Sequence, residues 1–330
     1  MKAALLVRPG EIVVDDIPEP AIGPDDVEIA VGGVGLCGSD LSVFSGHWQA
    51  PEYPWVMGHE IFGAVVSVGA QVSSQRVGET VVVEPNIVCL TCALCRRGWT
   101  SACVARQSIG MNRQGGLAER LVVPARFAWA IGGLGPEDLV CVEPATVALA
   151  ALRRLGSPLP SSVLVVGAGA QGLLMSLVLQ HRGTSVEIVD INADRMAFAV
   201  SLGARQLDLG HDRQFDLVVD TVGSPATVET ALVSIAVGGT LLILGLDGRP
   251  LGLTAQVIVR RQLVIRGSLT YDHPQDFATT VAAISDGRLA PSRIVAHEYP
   301  LEDAQAAFEQ GAQTAGKSWI RVGWEGGRNP

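Results

Sequence analysis

Charge is scarce in this chain, and the charge present has the wrong sign for a polyanionic partner. Of 330 residues only 17% are Asp, Glu, Lys or Arg, 48% are hydrophobic, and the net charge is -9. That composition excludes the disordered class, whose members bury too little apolar surface to offset chain entropy. The acidic balance argues against nucleic acid or an anionic membrane as the main partner. Long hydrophobic runs are missing as well. A membrane span needs about 18 uncharged apolar residues, and the one region approaching that, after residue 163, is interrupted by glycines and polar residues. The apolar run in Met1-Lys2-Ala3-Ala4-Leu5-Leu6-Val7-Arg8-Pro9 is too short for a signal peptide, and no small-residue cleavage site follows it. A cytoplasmic protein is therefore expected. Internal repeats and low-complexity tracts are absent too.

The length allows two domains, each with its own core. Residues 1 to about 135 read as β-rich. Short apolar stretches at 27–31, 64–68, 80–83 and 121–123 are separated by Gly, Pro, Asp and Asn clusters, as in a compact barrel or sandwich. From about Glu143 the apolar period becomes helical, through Ala148, Leu149, Leu152 and Leu155. Strands and helices then alternate: a strand at 215–220, a helix near 227–235, and strands at 239–246 and 263–268. A final part from about Ser285 carries an amphipathic helix at 302–310 and a closing strand at 318–322. The expected fold is α/β plus β-rich, with one domain inserted into another: residues 1–145 and 286–330 form the outer domain, and 146–285 the insert.

The insert is organised around residues 163–190. Val163-Leu164-Val165-Val166 is short and β-branched, as a buried parallel strand should be. Gly167-x-Gly169-x-x-Gly172 then leads into an apolar, helix-length segment ending near His181, with Gly183 as its stop. A second strand, Val186-Glu187-Ile188-Val189, finishes on Asp190, 23 residues after Gly167. The glycines serve a tight turn, close approach of backbone to a pyrophosphate, and helix-on-strand packing. Free N–H groups and the positive dipole end at the helix N-terminus suit the phosphates. Glycine-rich turns alone are common in loops, but here strand, turn, helix, second strand and acid fall in order. A Rossmann dinucleotide site is expected, with Gly167, Gly169, Ala170, Gln171 and Gly172 at the phosphates and Asp190 on the adenosine ribose. The Asp190 carboxylate would repel the extra phosphate of NADP, so NAD is favoured. Arg195 either stacks on the adenine or lies on the surface.

A second signal is Cys89-x-x-Cys92-x-x-Cys95 followed by Cys103. Four thiolates at these separations can wrap a tetrahedral Zn2+, with Zn–S distances of about 2.3 Å. Disulfides are the competing reading, disfavoured by the cytoplasmic expectation and by the two short gaps. A nucleic-acid-binding zinc ribbon is a third, and the acidic chain speaks against it. Four ligands close the coordination sphere, so this metal would be structural and its loss would unravel the lobe.

Three other places offer ligand types. Cys37 follows a glycine-rich turn and precedes Gly38-Ser39-Asp40. His59 and Glu60 occur in Met57-Gly58-His59-Glu60, and Glu143 in Val142-Glu143-Pro144. Singly each is unremarkable: a lone His more often packs, and a Glu beside Pro often starts a helix. Taken together with Gly35-x-Cys37-Gly38-Ser39-Asp40, the four-cysteine lobe, Gly167-Ala168-Gly169-Ala170-Gln171-Gly172 and Gly316-Lys317, they resemble the zinc-dependent medium-chain alcohol/polyol dehydrogenases over essentially the whole chain.

The resemblance implies a GroES-like catalytic domain interrupted by the Rossmann domain, with the active site in the cleft between them. It implies Cys37, His59 and Glu143 as ligands of a catalytic zinc, with Glu60 an alternating or water-mediated ligand. The simple alcohol dehydrogenases usually use a second cysteine as third ligand. Glu143-Pro144 is instead similar to the sorbitol, threonine and glucose dehydrogenase branch, although Cys141 lies close by. Three protein ligands leave a position for a substrate oxygen, zinc acts as Lewis acid, and Ser39 takes the hydroxyl proton while hydride goes to NAD. The reading is thus two zinc ions per chain, NAD, and a secondary hydroxyl of a polyol, sugar or (amino)cyclitol, or the matching ketone. A homodimer or homotetramer paired through the Rossmann sheet edge is implied as well. Many relatives have a histidine five residues after the ligand cysteine. Here that residue is Ser42, so the proton path is either shorter or uses His47, although a surface or substrate-contacting place for His47 is the preferred reading. Phe44, Trp48, Tyr53, Trp55 and Met111 are candidate pocket residues. Two other readings stand against this one: a zinc-free quinone-reductase-like enzyme, which has no need of these ligands, and a non-catalytic NAD-binding scaffold.

Overall fold

A computed structural model of the chain describes residues 1–207 and 213–323, without the side chain of Gln75. The last seven residues of the expected 286–330 return lie outside the described residues. Two compact units are formed, Met1–Glu143 with Asp272–Pro330, and Pro144–Tyr271. Among the described residues no helix is long and apolar enough to cross a membrane.

The first unit is built on the strand Asp26–Gly35, whose alternating burial becomes continuous towards Gly35. It pairs antiparallel with Glu60–Val68, Arg120–Pro124 and Lys317–Arg321. The seven-stranded sheet is completed by Thr80–Val83, Ala128–Ala130 and Val295–Pro300. A smaller sheet carries Glu11–Asp16, Lys2–Arg8 and Trp55–Val56 in that order. β-Branched residues such as Val27, Ile29, Val31, Ile61, Val65 and Val83 fill the core with Phe127 and Phe308. The N-terminal hairpin, the strand Val295–Pro300 and the helix Gln275–Ser285 were not read from the sequence. That helix explains why the return begins at Asp272, where the sequence suggested 286. Its Phe277 packs on Trp129, with ring centroids 5.6 Å apart, and Asp272 accepts the backbone N–H of Ser101 at 2.9 Å.

The second unit is a six-stranded, all-parallel sheet. Its spatial order is Arg205–Gln206, Ser185–Val189, Ser162–Val166, Phe215–Asp220, Ile235–Ile243, Val264–Gly267. In chain order that is three-two-one-four-five-six, the doubly wound arrangement that binds ligands at the carboxyl ends of its first strands. The strands need no alternation because helices cover them, and Val163 to Val166 are all buried. The helix Ala170–His181 is buried continuously from Gly172 to Leu179. Asn192 caps Ala193–Ser201, and Ser224 caps Pro225–Ser234 in a reciprocal box with Thr227. The last of these helices stops at Ser234, because Ile235 is already extended and pairs with Phe215. The strand expected from Gly239 therefore starts four residues sooner, with an irregularity before Leu217.

Trp319 is 1% exposed, and its ring lies 5.9 Å from that of Phe62 in the first unit. Truncating it leaves a large cavity in a closely packed sheet face. We expect Trp319→Ala to lower stability by about 3–5 kcal/mol, read as a shift of the denaturant midpoint, and an unmoved midpoint would contradict this packing.

Candidate active site and metal centres

Three chain segments converge at one end of the first unit's large sheet. Gly35 pairs with Glu60 and with Trp319, so Cys37, Glu60 and Lys317 become neighbours. A Cβ on Gly35 would lie 2.2 Å from a Glu60 carboxylate oxygen, so only glycine admits that approach. Cys37 then caps the short helix Gly38–Phe44. Inside that helix Asp40 is fully buried, and its carboxylate accepts the backbone N–H of Cys37 and of Gly58, each at 3.2 Å. The same group faces His59 Nδ1 at 3.2 Å. With Nδ1–H donated to Asp40, the Nε2 lone pair of His59 is available as a ligand, and this nitrogen lies 3.5 Å from Ser39 Oγ.

The ligand atoms of Cys37, His59 and Glu60 all fall within 4.8 Å of one another. A thiolate, an imidazole and a carboxylate form a donor set that suits zinc. Glu60 also pairs with Lys317, both nearly inaccessible, and Lys317 Nζ donates to the Leu36 carbonyl at 3.2 Å. Glu143 sits, buried, in the first turn of Val142–Leu155 and is not one of the three residues of that cluster. Cys141 is sealed in, and burial pushes its thiol far up, as suits an inert packing residue. Burial works against a charge on His59, but Asp40 and then Cys37 outweigh it and raise the imidazole well above its ordinary value. Lys317 is likewise raised despite its burial, with Glu60 as the main counter-charge.

The nearby hydroxyls and rings divide by contact. Ser42 Oγ donates to the Gly38 carbonyl at 3.0 Å, within its own helix. His47 is exposed, with Nδ1 2.7 Å from Ser45 Oγ. Trp55 is buried with its indole N–H on the Gly110 carbonyl, and Phe44 packs against Phe308 at 5.3 Å. Those two rings are held by structure, whereas Tyr53 is well exposed.

The four-cysteine lobe places all four Sγ atoms within 4.8 Å of one another. Cys89 Sγ is 3.5 Å from Cys103 Sγ and 3.9 Å from Cys95 Sγ, beside an expected tetrahedral edge of about 3.8 Å. None of the six cysteines is in a disulfide. Backbone N–H groups of Cys89, Cys92 and Cys95 point at neighbouring sulfurs at 3.3–3.5 Å. The Thr91 backbone, followed by that of Cys92, brings Cys89 down to about 6, while burial pushes Cys95 up to about 12. Holding all four as thiolates therefore calls for a cation, and a closed set of four suits a structural zinc.

In the second unit Gly167 takes φ +99 after the strand Ser162–Val166. A Cβ on Gly172 would come within 1.9 Å of the Gly167 carbonyl oxygen, so the helix can start only with glycine there. Gly169 is the N-cap with no side-chain cap, and the space beside its Cα is open. Backbone N–H groups are thus left for an anion. Asp190 folds back on this turn, accepting Ala168 N–H at 2.7 Å and Asn192 N–H at 2.8 Å. Arg195 lies in the next helix's first turn, its N–H on the Asn192 side chain at 3.0 Å. The Gln171 amide donates to the Pro144 carbonyl at 3.1 Å. Asp40 and the Lys317 partner of Glu60 were missed as functional residues. Both lie in motifs visible in the sequence, but only long-range pairing reveals their roles.

Two family models match the chain: the alcohol dehydrogenase GroES-like domain over residues 23–133, and the zinc-binding dehydrogenase over 171–286. D-altritol 5-dehydrogenase of Agrobacterium fabrum is 33% identical over 93% of this chain and 95% of its own. L-threonine 3-dehydrogenase of Shewanella loihica is 30% identical, over 98% and 100%. An alcohol dehydrogenase of Escherichia coli CFT073, solved with its cofactor NADH, superposes with a TM-score of 0.89. It is 26% identical and covers 97% of this chain and 99% of that one.

A metal at Cys37 and His59 must displace the proton that Asp40 and Cys37 keep on the imidazole. The folded value is raised, so the competing proton is fully held at low pH and released as pH rises through it. Metal affinity at this centre should therefore fall on acidification from above the raised His59 value. Competition with a chelator across that range checks the slope, and a pH-independent affinity would contradict the His59 assignment.

Proposed function

This chain belongs to the zinc-type alcohol and polyol dehydrogenases, a family of oxidoreductases, and we propose that it oxidises a secondary hydroxyl of a polyol, sugar or (amino)cyclitol with NAD, or reduces the matching ketone. The observation that carries the reading is the cluster of Cys37, His59 and Glu60 beside Ser39, held from behind by Asp40. The names of the altritol and threonine dehydrogenase relatives support a secondary hydroxyl as the reacting group. Cys37, His59 and Glu143 would hold the catalytic zinc, with Glu60 exchanging between metal and Lys317. Cys89, Cys92, Cys95 and Cys103 would hold the structural one.

When bound, zinc supplies a Lewis acid that lowers the pKa of the substrate hydroxyl, and NAD supplies the hydride acceptor. Ser39 Oγ, beside His59, receives the hydroxyl proton and hands it towards solvent. Asp40 keeps the His59 ring in one tautomer and one orientation. Lys317 neutralises Glu60, so the buried carboxylate can stay near the site ionised without taking permanent hold of the metal. In the other unit the N–H groups after Gly169 would hold the pyrophosphate, and Asp190 would hold the ribose hydroxyls. The same carboxylate disfavours a ribose phosphate, which supports NAD. Ser42, turned onto its own helix, makes the proton path shorter than in relatives with histidine there.

Two further parts of the reading rest on surface features. Val264–Gly267 is an edge strand, and Val237, Val259 and Val264 on or near it are exposed, which supports pairing of two copies along that edge into a homodimer or homotetramer. Six unpaired cysteines support a cytoplasmic location.

The purified protein, given NAD and a panel of polyols, sugars and cyclitols, should form NADH with a subset of them. NADP should serve worse on the order of tenfold or more, as a like-charge encounter with Asp190 requires. Cys37→Ala should abolish turnover and leave NAD binding within a few-fold, about 1 kcal/mol or less. Turnover surviving in Cys37→Ala would contradict the proposal.

A further inference from the structure

We infer that Thr221 is a positioning residue of the nucleotide site, whose hydroxyl holds the glycine turn in the setting that aims Asp190 and so takes part in the choice between NAD and NADP. It rests on the functional reading above, in which Asp190 meets the ribose hydroxyls. Thr221 follows the strand Phe215–Asp220, which pairs with Ser162–Val166. Its N–H and its hydroxyl both donate to the Val166 carbonyl at 3.0 Å, and the hydroxyl oxygen lies 3.4 Å from the Gly167 carbonyl. The same oxygen fills space that side chains on the turn would need. A Cβ on Gly167 would come within 2.6 Å of it, and one on Gly172 within 3.3 Å. Two glycines of the turn are thus packed against one hydroxyl.

The threonine is itself held firmly. Asp220 is fully buried and accepts the N–H groups of Val222 and Gly223, each at 2.9 Å, and the Thr227 hydroxyl at 3.0 Å. A buried carboxylate with its lone pairs used in this way fixes the segment that carries it. The Thr221 hydroxyl therefore reaches the turn from an anchored loop.

The consequence falls on one peptide group. Gly167 takes φ +99 and has no Cβ, so sterics alone restrain the peptide after it weakly. That peptide joins the Gly167 carbonyl, which faces Thr221, to the Ala168 N–H, which donates to Asp190 at 2.7 Å. A peptide is planar, so its carbonyl and its N–H turn together. Holding the carbonyl end at Thr221 holds the direction from which the N–H meets Asp190. The half-buried carboxylate takes this N–H on one oxygen and the Asn192 N–H on the other. Each oxygen keeps acceptor capacity, and the two donors set the plane in which it points. A ribose diol is matched by two acceptors presented side by side, and a ribose phosphate meets a like charge that is held in place. With the peptide loosened, the diol loses its paired acceptors and the phosphate escapes part of the repulsion.

The test is direct titration of the full-length protein with NAD and with NADP, read as two dissociation constants. Thr221→Val keeps the shape without the donor, Thr221→Ala removes both, and Thr221→Ser keeps the donor. The ratio of the NADP constant to the NAD constant should fall about threefold or more in Thr221→Val and Thr221→Ala, as loss of one hydrogen bond allows. Thr221→Ser should keep the wild-type ratio. A merely structural loss would weaken both cofactors alike and leave the ratio in place. An unchanged ratio in Thr221→Val and Thr221→Ala, or an equal fall in Thr221→Ser, overturns the inference. Asp190→Asn separates this from the reading beneath it, since there the preference for NAD should collapse. A wild type that binds no NAD or does not prefer it, or a preference that survives in Asp190→Asn, overturns the reading of Asp190 itself.

Discussion

Asp40 is the constraint on which the candidate metal centre depends. A carboxylate with no solvent access is costly unless each lone pair is used, and this one serves the Cys37 amide, the Gly58 amide and the His59 ring at once. Those contacts join two separate segments, and they hold both candidate ligands in place through the fold alone. The charge on Asp40 also selects the nitrogen of His59 that faces the centre. Remove that charge, and the ring loses its orientation and the Cys37 loop its anchor. Metal ligation then has to supply order that the fold now supplies in advance.

Around that anchor the sheet of the first unit supplies the frame. The Gly35–Glu60 register and the Lys317–Glu60 pair fix a carboxylate at the edge of the centre with its own counter-ion, so the negative charge of a thiolate and a carboxylate is balanced locally. The four-cysteine lobe solves a different problem. A loop with little secondary structure, holding the short helix Ala93–Arg96, is ordered by four sulfurs pointing inward, and a closed thiolate set there offers no place for substrate. The second unit keeps its own core and presents a glycine turn whose free N–H groups need no side chains at all. On the proposed reading the chemistry would be divided: ligand geometry would come from the sheet ends of one unit, and anion binding from the strand-to-helix turn of the other.

Legibility in the sequence followed the range of the interactions. The glycine turn, its flanking strands and Asp190 lie within 28 residues and were readable, because strand, turn and helix each leave a local pattern. The four cysteines were readable for the same reason. Cys37 and His59 became a pair only through the family resemblance, since nothing local says that residues 22 apart share a metal. Asp40 and Lys317 lie in recognisable motifs, but burial and partnership across the sheet leave no mark in spacing. The boundary at Asp272 was displaced because Trp129, Glu84 and Ser101, all distant in sequence, hold the returning segment. At Ile235 a helix pattern ran into a strand because the apolar run serves both periods there, and sheet pairing with Phe215 decided it.

On the proposed reading this fold holds two different zinc ions, one closed in by four cysteines and one open at Cys37 and His59. Metal analysis of the purified protein beside its Cys37→Ala variant tests it most directly. The account predicts about two zinc ions per chain falling to about one. One zinc in both proteins would leave only the four-cysteine lobe filled and would contradict the open centre.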